Sequence, residues 1–85
     1  MNAASVPAPL AWRLPPADAA RMAAEGRHCE ARPCREPVTV VTWRKFQSKA
    51  AGRELLSERL VCEAHAARFA ARYHAEIEDA PRGEQ

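Results

Sequence analysis

The scarcity of large apolar side chains constrains this chain most. Alanine supplies 19 of the 40 hydrophobic residues among 85, and cysteine three more, leaving 18 large apolar side chains. Met1, Val6 and Leu10 fall in a proline-interrupted N-terminal stretch, so about fifteen remain to build a core. A domain this small usually needs a staple from disulfides, a metal or a partner chain. Three cysteines cannot all pair within one chain, which makes a disulfide framework a poor first reading. The first twelve residues carry no Lys or Arg, as a secretory leader would, and no run reaches the roughly 18 apolar residues of a membrane span. The expectation is a cytoplasmic protein without membrane association, in a reducing compartment that keeps thiols available as metal ligands.

The staple is readable in the spacing. Cys29-x4-Cys34 and Cys62-x2-His65 supply three sulfurs and one imidazole, the donor types of closed, tetrahedral structural zinc sites. Four intervening residues let a turn aim both sulfurs of the first pair at one point, and Cys62 and His65 lie one turn apart on a helix. One structural Zn²⁺ per chain, held by Cys29, Cys34, Cys62 and His65, is therefore expected. Buried free cysteines with a solvated histidine, and an iron–sulfur cluster, are the rivals. His28 and His74 read as surface histidines, the first because it adjoins Cys29 and the second because it lies half a turn from His65.

Along the chain, residues 1–11 (MNAASVPAPLA) read as a disordered tail and 80–85 as a second tail, leaving a single domain over 12–79. Pro15 and Pro16, Asp18 in a first turn and Gly26 as a stop predict a short helix at about 17–25 with Ala19, Met22 and Ala23 inward and Trp12 and Leu14 as nearby anchors. HCEARPCREP is a turn. VTVVTWRKF predicts a strand at about 38–46, QSKAAG a connection ending in Gly52, and 55–61 a returning strand. The segment RELLSERL also suits the start of one long helix. From Cys62 to about Asp79, His65, Phe69, Tyr73 and Ile77 form one apolar stripe about 100° wide, the mark of a surface helix.

Cysteine turn, hairpin, then a helix whose first turn carries the second ligand pair: this order, over Cys29 to Ile77, resembles the treble-clef class of small bacterial zinc fingers, with zinc-ribbon-like character. The resemblance implies an α+β fold with Cys29 and Cys34 as knuckle ligands and Cys62 and His65 as helix ligands. The x4 spacing and the absence of a glycine after Cys34, where Arg35 and Glu36 stand, depart from the commoner pattern. The class hosts many activities, so it does not fix a function.

Function is constrained more by exclusion. There is no Ser-His-Asp arrangement, no glycine-rich phosphate loop and no HExxH, and four good ligands fill a zinc site without room for catalytic water; a non-enzymatic protein is expected. Net charge is only +2, yet residues 37–62 carry +3 and residues 63–85 carry −2. One reading is a protein-interaction adaptor or regulator, of a transcription component or phage type. It would dock through the smooth face of Ala64, Ala67, Ala71 and Ala75 and leaves a homodimer open. The alternative is a nucleic-acid-binding finger using the basic hairpin, with Trp43 to stack and Arg44, Lys45 and Lys49 to meet phosphates. Its rival makes Trp43 core. Arg68 and Arg72 flank the metal site and suit packing, solubility or phosphate contact equally.

Overall fold

The computed structural model describes residues 9–80. Six elements follow in order: β1 (Leu10–Arg13), α1 (Pro16–Ala24), β2 (Val40–Ser48), β3 (Arg53–Val61), α2 (Glu63–Tyr73) and β4 (Ile77–Asp79). The strands form one sheet in the order β3-β2-β1-β4, so the chain is a mixed α+β fold with two helices on the described residues. No helix among them is long and apolar enough to cross a membrane.

Helix α1 begins where its prolines dictate: Pro15 is the N-cap, and Pro16 sacrifices an N–H that would be unpaired anyway. Arg21 pairs with Asp18 at 3.0 Å one turn away, and Gly26, at φ +79°, turns the chain out after the last turn. The β2–β3 hairpin runs without a break from Val40↔Val61 to Ser48↔Arg53. The returning segment is therefore strand, and the long-helix alternative falls. Both strands run nine residues because Val, Thr and Trp on β2 each meet a cross-strand partner. At the turn, Ala51 N–H donates to Ser48 Oγ (3.0 Å) and Gly52 N–H to Ser48 O (2.9 Å). Gly52 sits at φ +70° with open space where a Cβ would go. Gly52→Ala is therefore expected to cost about 1 kcal/mol through backbone strain alone, read as a lower urea midpoint with the metal content unchanged.

Two expectations need correction. Leu10 and Ala11, assigned to the tail, belong to β1, which pairs antiparallel with β2 and parallel with β4. Ala11 is fully buried. Residues 1–8 of that expected tail, and 81–85 of the other, lie outside the described residues. The helix expected to reach Asp79 stops at Tyr73. His74 adopts the left-handed conformation at φ 58° as the C-cap, and Ala75 N–H closes onto Ala70 O at 3.0 Å. Ile77 then reaches the core from a strand beside Ala11 rather than from the helix stripe. The apolar period survives the change because β4 returns Ile77 to the face that α2 covers.

Residues alternate across a strand, so Ala11, Val40, Thr42, Arg44 and Phe46 share one face of the sheet with Leu55, Ser57, Arg59 and Val61. Helix α2 packs on this face. The core there is Ala11, Cys29, Val40, Val61, Cys62 and Ala66, flanked by Ala31, Cys34, Phe69 and Ile77. On the opposite face, Trp12 and Trp43 meet edge to face at 4.9 Å. Arg13 links three elements: its guanidinium bonds Glu63 at 2.6 Å and lies 3.7 Å from Asp79, while Thr39 Oγ1 donates to the other Glu63 oxygen at 3.3 Å. The Arg13 hydrogen bond, set against a smaller effect of burial, holds the Glu63 carboxyl below its ordinary range, and the same bond raises Arg13. Glu63 also sits in the first turn of α2, where the helix dipole favours a negative charge.

Candidate metal centre

Two segments far apart in sequence deliver the four donors. The first is the turn between α1 and β2. A single antiparallel bridge joins His28 to Pro37, Cys29 N–H donates to Glu36 O at 2.8 Å, and Cys34 N–H donates to Ala31 O at 2.9 Å. These bonds fold the segment so that both sulfurs point the same way, and Glu36 N–H approaches Cys34 Sγ at 3.5 Å. Glu30 docks the turn on the end of β3. Its N–H donates to Leu60 O (2.9 Å), its carboxylate accepts from Leu60 N–H (3.0 Å), and its carbonyl accepts from Arg59 Nη2 (2.8 Å). The second segment is the start of α2, where Cys62 is the N-cap residue and His65 follows within the first turn.

The donor atoms of Cys29, Cys34, Cys62 and His65 all lie within 4.8 Å of one another. Cys34 Sγ is 3.8 Å from Cys62 Sγ, and His65 Nδ1 is 3.3 Å from Cys62 Sγ and 3.6 Å from Cys29 Sγ. A tetrahedron with Zn–S about 2.3 Å and Zn–N about 2.0 Å has S···S edges of about 3.8 Å and S···N edges of about 3.5 Å. These three of the six edges match those lengths and the other three are no longer than 4.8 Å, so the donor set suits a four-coordinate ion. Cys29 and Cys62 are buried, while Cys34 and His65 are half-buried.

The electrostatics also favour a thiolate at the helix start. Burial alone would push the Cys62 thiol up. The His65 backbone N–H, then the His65 ring and the neighbouring thiols Cys34 and Cys29, outweigh it and bring Cys62 down to about 7. At Cys34 the Glu36 N–H favours the thiolate, but burial and the adjacent Cys62 and Cys29 together hold the thiol above its ordinary value. A cation among the sulfurs would offset those unfavourable contributions, because metal binding requires and rewards the deprotonated ligands.

The other expected residues fall elsewhere. His28 is exposed and outside the cluster, and His74 is the exposed C-cap of α2. Trp43 is half-buried against Trp12, with its Nε1 donating to Glu58 at 2.9 Å. Lys45 and Lys49 are exposed. Arg44 points to the α2 side of the sheet, its guanidinium 5.7 Å from the Phe46 ring centre and 5.5 Å from that of Tyr73. The pleat thus puts Trp43 and Lys45 on one face and Arg44 on the other, and the four residues do not converge. Reasoning from the sequence alone missed Glu30, whose clamp needs the β3 edge to be known, and Arg59, which sits beside Arg44 only through hairpin register. The chain matches no protein-family model, no curated protein and no solved structure.

Proposed function

We propose that this chain is a small, non-enzymatic binding module fastened by one structural zinc ion, in which Cys29 and Cys34 form the knuckle and Cys62 and His65 the helix ligands of a treble-clef-like arrangement. The observation that carries this reading is the gathering of one nitrogen and three sulfurs, all from the protein, within 4.8 Å of one another. Four such ligands complete a structural site and leave no coordination position for a catalytic water. The ion would stabilise the fold by tying α2 to the turn after α1. The order of turn, hairpin and helix supports the treble-clef comparison. The module then acts by presenting a surface. Ala64, Ala67 and Ala71 lie exposed along α2 and support the adaptor reading, in which a protein docks on that smooth face. The arginines gathered around Tyr73 favour an anionic partner instead.

Cobalt substitution tests the metal reading. Protein purified under reducing conditions is expected to hold one zinc per chain by elemental analysis. Replacement with Co²⁺ is expected to give the intense visible bands of a tetrahedral, thiolate-ligated ion, unchanged by added azide because no site is open to it. An octahedral spectrum, or one that shifts with azide, would show an incomplete ligand set and return the enzyme reading to consideration. Iron with acid-labile sulfide in place of zinc would support the cluster rival.

A further inference from the structure

Between the sheet and α2, beyond the cysteines, lies a half-open cleft of about 240 Å³. Its walls carry four arginines: Arg44 on β2, Arg59 on β3, and Arg68 and Arg72 one turn apart on α2. Phe69 and Tyr73 form its aromatic part, with ring centres 4.9 Å apart and planes inclined at 50°. Arg44 and Arg72 approach the Tyr73 ring at 5.5 and 5.6 Å. No Asp or Glu lines the cleft, and among the described residues none of the four arginines is in a salt bridge. Only Arg59 has a hydrogen-bonded partner among them, the neutral carbonyl of Glu30. Four guanidinium groups facing one cleft repel one another. In a chain with 11 carboxylates, their lack of acidic partners leaves an anion as the natural complement.

We propose that this cleft binds the phosphodiester backbone of single-stranded nucleic acid, with Arg44, Arg59, Arg68 and Arg72 meeting phosphates and Tyr73 and Phe69 stacking a base. Charge alone would serve a phosphopeptide equally. The pairing of a basic groove with adjacent aromatic faces is what suits a strand whose phosphates and bases alternate. His65 also lines the cleft. The proposal rests on the zinc-fastened reading in one respect: the metal would tie the start of the helix bearing Arg68 and Arg72 to the turn that Glu30 docks on β3.

The test is fluorescence anisotropy of a labelled twelve-residue oligo-dT strand with the full chain, with zinc content and circular dichroism measured on the same samples. Binding is expected to weaken with salt, log K falling against log[salt] with a slope near −3, since each phosphate met on a single strand contributes about −0.7. Arg68→Ala/Arg72→Ala, both at exposed helix positions, is expected to bring the slope to about −1.4 while leaving zinc and helix content unchanged. Tyr73→Ala is expected to lower affinity by roughly five- to a hundredfold with the slope unchanged. Lys45→Ala, on the other face, is expected to leave binding as it is. Zinc-loaded, folded chain that does not bind the strand would overturn the cleft proposal and leave the metal reading standing. So would binding that Arg68→Ala/Arg72→Ala does not alter, or displacement by a phosphoserine peptide at lower concentration than by unlabelled strand. Arginine-dependent binding by chain that holds no metal would uphold the cleft and overturn the zinc.

Discussion

Removing the metal is expected to unfold this chain. Of the six buried residues that form the core cluster, two are the ligands Cys29 and Cys62, and the others include two alanines, Ala11 and Ala66. Val40 and Val61 alone bring large side chains into that cluster. Full burial of such a side chain contributes about 1.5–3 kcal/mol, whereas structural zinc in finger peptides contributes on the order of 10 kcal/mol. A bound zinc would thus outweigh any single side chain of the core, and it would act between the turn after α1 and the start of α2. A strong chelator should therefore abolish the far-ultraviolet helix signal and the cooperative thermal transition, and added zinc should restore both. Cys62→Ser should reproduce the chelated state, because it removes a ligand and leaves the remaining thiols crowded and buried. Should the melting curve be indifferent to the chelator, the three cysteines would be ordinary core thiols. Cys62→Ala would then cost no more than a small cavity, about 1–2 kcal/mol.

The Cys29, Cys34, Cys62 and His65 cluster was legible in the sequence because metal ligation is chemically selective. Only three cysteines and three histidines exist in the chain, and turn and helix geometry pair four of them. Local signals served equally well wherever the deciding interactions are local. Pro16, Asp18 and Gly26 mark α1 by capping chemistry, and the β-branched run through Val40 and Val41 marks β2. The failures share a different cause. β1 and β4 are four and three residues long, too short to show a period; β1 draws its hydrogen bonds from β2 and β4, and β4 draws its own from β1. The apolar stripe of α2 was extended through Ile77 because nothing in periodicity reveals that His74 turns left-handed. The cleft is the extreme case. Residues 44, 59, 68 and 72 carry no common spacing, and they meet only once hairpin register and helix docking are both fixed.

Deleting β1 is expected to be nearly as damaging as removing the metal. A chain beginning at Leu14 loses the strand that lies between β2 and β4 in the sheet. Strand β4, hydrogen-bonded only to β1 among the described strands, loses its place, and with it Ile77 leaves the core it flanks. Trp43 loses its edge-to-face partner Trp12, and Glu63 loses the guanidinium of Arg13 at the start of α2, beside Cys62. Trp12 is half-buried, so Trp12→Ala alone should cost about 2 kcal/mol, below the range for fully buried tryptophan. Ala11→Asp is the sharper probe. It places a carboxylate at a fully buried position, a cost of several kcal/mol, while leaving every metal ligand in place. Urea unfolding of the zinc-loaded proteins should show a clear loss for Trp12→Ala and no folded baseline for Ala11→Asp or for the truncated chain. If the truncated chain unfolded at the same urea concentration as the full one, the segment would be the dispensable tail its composition suggests. The sheet would then reduce to the β2–β3 hairpin, and the zinc would have to hold the helix to that hairpin unaided.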